Sequence, residues 1–122
     1  LEQNGKNLTY KLFAYGSLKS GHRNHDILDN SDYLGEYHAP KGYRLVVNGL
    51  PYLLEDHDGE GCYGELYEVK PRVLINCDAL EGHPEWYKRT LITVINVETK
   101  MKEKAYAYIY QGKVDGTVTR RY

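Results

Sequence analysis

A single stretch of this chain, Pro71–Glu81, spaces its apolar residues as a helix does, while the rest breaks into short β-like runs punctuated by Gly, Pro and Asn. That restricts the fold to about six or seven strands and one clear helix, an α+β arrangement in which a curved, mostly antiparallel sheet or barrel carries helices at its side. Residues 8–15 (LTYKLFAY) read as an opening strand stopped by Gly16. Residues 33–39, 43–47 and 51–54 are short strands separated by Pro40, Gly42 and Asn48-Gly49, and residues 62–69 (CYGELYEV) form another. Residues 87–97 and 103–111 pair as a hairpin across 98–102. In the helix, Pro71 suits the first position, Val73, Leu74, Cys77 and Leu80 mark the buried face, and Gly82 and Pro84 end it. Residues 19–30 are polar, anchored by Ile27 and Leu28, and read as a loop with one helical turn. The 122 residues make one domain, residues 1–122, with its core at about 8–111.

Composition excludes several classes of partner. Sixteen Lys+Arg balance 17 Asp+Glu without a basic block, so nucleic acid is not expected. No apolar run approaches the ~20 residues of a membrane span, and no basic-then-apolar leader is visible, so a soluble, cytoplasmic protein is expected. Cys62 and Cys77 stand in separate apolar segments and read as buried thiols. The five histidines and two cysteines have no zinc-like spacing, so no metal is expected. Thirteen Tyr against one Phe and one Trp point either to a polar-lined pocket or to half-exposed strand faces. Monomer is the default, although a Tyr-rich final strand lying at an exposed sheet edge would favour a dimer.

Two features carry chemistry. Glu81 lies four residues after Cys77 and seven after Leu74, on the side of the apolar stripe. A carboxylate there either turns out to solvent as the last helical residue, or faces the core with its pKa raised into the range useful for moving protons. Tyr15-Gly16-Ser17-Leu18, directly after the first strand, is a turn whose N–H groups can converge on an anion, or simply a turn. It lacks both the P-loop and dinucleotide patterns, so no nucleotide is expected. Ser17 has no GxSxG elbow around it and reads as a hydrogen-bonding rather than nucleophilic hydroxyl.

The run Leu12-Phe13-Ala14-Tyr15-Gly16-Ser17-Leu18-Lys19-Ser20-Gly21 with Asn24-His25 resembles the YGTLK/YGSLK signature of the γ-glutamylcyclotransferase-like superfamily, in its γ-glutamylamine cyclotransferase, AIG2-like branch. Cys77-Asp78-Ala79-Leu80-Glu81-Gly82-His83-Pro84 with Tyr87-Lys88-Arg89 is similar to that family's D-x-x-E-G-x-P-x-x-Y-x-R stretch, and residues 64–69 resemble the strand before it. The resemblance implies a small mixed β-barrel with flanking helices, no cofactor, a small γ-glutamyl substrate, Glu81 as the catalytic acid/base, and Tyr15, Gly16, Ser17 and Leu18 as the substrate-binding turn.

The implied reaction joins the α-amine of a γ-glutamyl group to its own γ-carbonyl, closing 5-oxoproline and expelling an amine. One carboxylate can take the proton from the nucleophile and return it to the leaving nitrogen. Tyr15 and one of Tyr106, Tyr108 or Tyr110 are candidates for the pocket wall. Two alternatives stay open: a related enzyme cleaving a γ-glutamyl peptide or carrier-bound group, and a catalytically silent module binding a small acidic ligand. The leaving amine is not named by the sequence, since loops such as residues 53–60 would set it; a lysine side chain is what the resemblance suggests.

Overall fold

Alternation along the strands sorts this chain into two apolar layers. The computed structural model describes residues 8–122. Its strands are β1 (Tyr10–Ala14), β2 (Asp32–Ala39), β3 (Gly42–Asn48), β4 (Leu50–Asp56), β5 (Cys62–Val69), β6 (Tyr87–Asn96), β7 (Lys102–Tyr110) and β8 (Thr117–Thr119). Helix α1 (Pro71–Glu81) and a 3-10 turn (His25–Leu28) complete the described elements. Five strands close a barrel in the order β1-β5-β2-β6-β7, and β4-β3-β8 form a second sheet. All barrel pairings are antiparallel except β1 with β7, which meet in parallel at Leu12 and Tyr106 and make the barrel mixed.

Successive β-strand side chains point to opposite faces. On β1, Phe13 joins one buried cluster while Leu12 and Ala14 join the other, and on β7 Ala105, Ala107 and Ile109 oppose Tyr106, Tyr108 and Tyr110 in the same way. The first cluster also takes Leu66, Val94, Leu45 and Leu53; the second packs under Leu74 and Cys77 of α1 and Leu28 of the 3-10 turn. Each fully buried Leu or Phe contributes about 1.5–3 kcal/mol.

Helix α1 begins at Pro71 and ends at Gly82, whose φ of 65° suits a residue without Cβ; the N–H groups of Gly82 and His83 close the last turn on the Ala79 and Asp78 carbonyls. Glu81 is thereby the last helical residue. The face turned to the barrel carries Leu74, Cys77, Asp78 and Glu81, so its lower half is apolar and its upper half acidic.

One reading needs correction, one alternative falls away, and one strand was not anticipated. Leu80, expected on the buried face, is 41% exposed, because Glu81 at seven residues from Leu74 takes that face and Leu80 is turned about 100° away. The Tyr-rich strand β7 is not a sheet edge: it is paired on one side by β6 and on the other by β1. β8 was not anticipated; it is three residues long and exists by pairing with the open edge of β3. The helical turn expected in residues 19–30 is the 3-10 turn, with Leu28 buried. Both cysteines are free and buried, which pushes each thiol up to about 12.

Candidate active site

The end of β1, the start of β4 and the last turn of α1 converge on one cavity of about 240 Å³, smaller than the ~300–1,000 Å³ of pockets for drug-sized ligands. Tyr15, Gly16, Ser17, Leu18 and Glu81, the five residues singled out from sequence, all line it. Tyr108 lines it as well, so of the three strand tyrosines considered it is the one at the cavity; Tyr106 and Tyr110 are not. Arg23, Asn24, Leu50, Pro51 and Tyr87 complete the parts of the wall that matter below.

The turn after β1 is held from several sides. Lys19 N–H donates to the Gly16 carbonyl at 2.9 Å and Asn24 N–H to the Ser17 carbonyl at 2.9 Å. Asn24 Nδ2 donates to Ser17 Oγ at 3.0 Å, leaving the Ser17 proton free to point elsewhere. His25 donates from Nδ1 to the Leu18 carbonyl at 2.9 Å, and the buried Lys19 ammonium donates to the Tyr122 carbonyl at 2.6 Å. Among the described residues, the N–H groups of Gly16, Ser17 and Leu18 have no acceptor. A fixed turn with three unspent donors beside a cavity has the chemistry to accept an anion.

Gly16 is required there by a close approach. A Cβ at this position would stand 2.5 Å from Pro51 Cγ, part of a ring that has no free end to swing away. Pro51 is itself fixed, because the buried Tyr87 hydroxyl donates to its carbonyl at 2.9 Å. Gly16→Ala is expected to lower stability by ~1–3 kcal/mol and, by displacing the turn, to cut kcat/KM about 10-fold. Thermal unfolding and steady-state rates on the purified variant check both numbers.

Glu81 lines the same cavity half-buried, and burial raises its carboxyl to about 7. The tyrosine hydroxyls around it are engaged as donors. The Tyr15 hydroxyl donates to the Tyr108 carbonyl at 2.6 Å, the Tyr87 hydroxyl to Pro51, and the Tyr108 hydroxyl to Asp78 Oδ1 at 2.8 Å. Each is held well above its ordinary range, chiefly by burial. Glu81 is therefore the cavity group whose proton is exchangeable near neutral pH.

Asp78 anchors the helix end that carries Glu81. One carboxylate oxygen accepts from Tyr108, and the other accepts from Arg89 Nη1 at 2.7 Å; Arg89 in turn sits 5.0 Å over the Tyr106 ring, and its backbone N–H donates to His83 Nδ1 at 2.9 Å. Strands β6 and β7 thus clamp α1 one turn before its last residue.

Sequence reasoning missed Arg23, Leu50, Pro51 and Tyr87 as cavity residues. Tyr87 and Asn24 stand inside the quoted motifs, a signal that was available; Pro51 and Leu50 come from a strand 35 residues from the turn and left none. One group among the described residues could gather a cation, Asp56 at the end of β4 with His57 and Asp58 on the exposed turn after it, and it takes no part in the cavity.

The chain thus closes a small mixed barrel in which the turn after β1 and the Glu81 carboxyl line one cavity. Residues 12–121 match the family described as gamma-glutamyl cyclotransferase, AIG2-like, and the chain belongs to this family of enzymes. It is 36% identical over 100 residues to a protein of Methanocaldococcus jannaschii, covering 81% of this chain and 82% of that one. It is 35% identical over 112 residues to gamma-glutamylaminecyclotransferase B of Danio rerio, covering 81% of this chain and 57% of that one. Among solved structures it is similar to an AIG2-like protein of Mus musculus, with a TM-score of 0.79 and 28% identity over 87% of this chain and 80% of that one. No helix among the described residues is long and apolar enough to cross a membrane.

Proposed function

We propose that this enzyme releases 5-oxoproline and a free amine from a small γ-glutamyl amine, with Glu81 as the proton shuttle. The observation that carries the reading is the Glu81 carboxyl, raised to about 7 by burial and lining the same cavity as the unspent N–H groups of Gly16, Ser17 and Leu18.

The chemistry follows from those parts. The substrate's α-amine attacks its own γ-carbonyl carbon, forming the ring C–N bond; the amide C–N bond to the leaving amine then breaks. Glu81 as carboxylate takes a proton from the attacking nitrogen and gives it to the departing one, so it ends as it began and no water is consumed. The α-amine has a pKa near 8 and must be deprotonated before it attacks, which costs about 1 kcal/mol at pH 7. The turn's N–H groups hold the α-carboxylate or the oxygen that becomes negative in the tetrahedral intermediate. Folding the glutamyl chain against the turn brings nucleophile and carbonyl together.

The test is 5-oxoproline release from γ-glutamyl-ε-lysine, γ-glutamyl-alanine and glutathione. Release from at least one is expected; release from none, together with tight binding of 5-oxoproline, would make the cavity a binding site without turnover.

A further inference from the structure

Lys19, 8% exposed, is the one charged side chain buried among the described residues, and it lies outside the cavity lining. It has no ion-pair partner among those residues; its ammonium donates to the Tyr122 carbonyl at 2.6 Å, joining positions 103 residues apart. Burial holds the ammonium below its ordinary range despite the opposing pull of Glu65. A charge that its surroundings disfavour adds little to stability, but it fixes what it is bonded to. Here that is a strap. After β8, which pairs with β3 of the second sheet, residues 120–122 cross to the barrel and are tied at every residue. The Arg120 carbonyl accepts from Tyr63 N–H on β5 at 2.7 Å, and Arg121 pairs with Glu36 on β2 at 2.6 Å. Both guanidinium groups sit over the Tyr63 ring, at 5.0 and 4.5 Å. Tyr122 packs on the first buried cluster and sets its ring 5.2 Å from that of His22, while its carbonyl takes the Lys19 ammonium.

Building on the cyclotransferase reading, we propose that Lys19 is a positioning residue: its ammonium latches the strap of residues 120–122 to the turn after β1, and the strap holds that turn in its anion-accepting shape. The free N–H groups of Gly16, Ser17 and Leu18 gain nothing from their arrangement until an anion arrives, so bonds outside them must impose it. The two residues that follow them carry those bonds. Lys19 N–H closes on the Gly16 carbonyl at 2.9 Å while its side chain holds the strap, and Ser20 N–H donates to Glu65 Oε1 on β5 at 2.7 Å. Glu65 is itself fixed by the Tyr67 hydroxyl, which donates to the same oxygen at 2.9 Å. The turn is thus gripped by the barrel at Ser20 and by the strap at Lys19.

The test reads the turn itself, by amide hydrogen exchange on wild type and Lys19→Met. Protection of the Ser20 and Asn24 amides is expected to fall about 10-fold in the variant, while the amides of β1 and β5 keep theirs. At a temperature where both proteins are folded, kcat/KM for 5-oxoproline release should fall about 10-fold, and Lys19→Arg, which keeps a charged donor, should recover part of both losses. Arg121→Gln loosens the strap at an exposed ion pair that adds little to stability. It should lower protection of the same two amides about 3-fold with the unfolding midpoint unchanged, and it carries the test if Lys19→Met does not fold. Wild-type protection of Ser20 and Asn24 in the folded variant, or a fall shared equally by the turn and the strands, overturns the proposal. Absence of 5-oxoproline release from wild type overturns the cyclotransferase reading instead, since the exchange measurement decides the latch without it.

Discussion

Glu81→Gln is expected to lose on the order of 10²–10⁴-fold in kcat while binding 5-oxoproline as tightly as wild type and unfolding at a higher temperature. The amide fills the same space and cannot move the proton. Its effect on stability follows from the direction of the carboxyl's shift. Free in the unfolded chain the group titrates near 4.3, and in the folded protein at about 7. Between those values the folded state binds more protons than the unfolded one, so the carboxyl's favourable contribution is complete below about pH 4.3 and is lost as the pH rises through about 7. Above that, a half-buried carboxylate costs on the order of 2 kcal/mol once discounted for its remaining wetting. Removing the charge should therefore raise the midpoint by several degrees at pH 8 and leave it unchanged at pH 4. Calorimetry at the two pH values, beside the rate measurement, separates lost chemistry from lost fold; a variant that is slow because it unfolds would shift the other way.

Asp78→Ala is expected to damage both fold and rate. Asp78 and Arg89 are both largely sheltered, with 22% and 26% of their side chains exposed, and the same carboxylate accepts the Tyr108 hydroxyl. Truncation leaves a guanidinium and a buried hydroxyl without their acceptor, a loss of ~2–4 kcal/mol. With the clamp gone the last turn of α1 is free to swing Glu81 towards water. Its carboxyl should then fall from about 7 towards its ordinary value, and kcat should fall roughly 10- to 100-fold. Asp78→Asn keeps an oxygen for Tyr108 and should sit between wild type and Asp78→Ala in both respects. The acidic limb of the pH–rate profile is the measurement that distinguishes this positioning role from simple destabilisation, since loss of fold alone would leave that limb where it was.

What could be read in advance follows the range of the forces involved. The spacing of Leu74, Cys77 and Glu81 put a carboxylate on the side of the apolar stripe of α1, because a helix fixes its faces within two turns, but it left open whether that last helical residue turns out to solvent. Strand alternation separated Ala105, Ala107 and Ile109 from the tyrosines between them, and the structure assigns those two sets to different clusters. Leu80 went wrong because one more apolar residue at near-helical spacing extends a stripe on paper, while in three dimensions the Glu81 position had already taken that direction. β8 left no trace since three residues have too little alternation to register, and their pairing depends on the edge of a strand 70 residues earlier. The turn at Tyr15 through Leu18 was visible as a turn; that Pro51 packs on Gly16, and that Leu50 lines the same cavity, depends on a strand of the second sheet.

The measurement that bears most directly on Glu81 as the shuttle of a 5-oxoproline-forming enzyme is kcat/KM for 5-oxoproline release between pH 5 and pH 9, on wild type and Glu81→Gln with one substrate. Wild type should show a break at about pH 7, falling on the acid side as the carboxylate takes up its proton, and the residual rate of Glu81→Gln should lack that break. A wild-type profile without a break near 7, or the same break surviving in Glu81→Gln, would contradict the account.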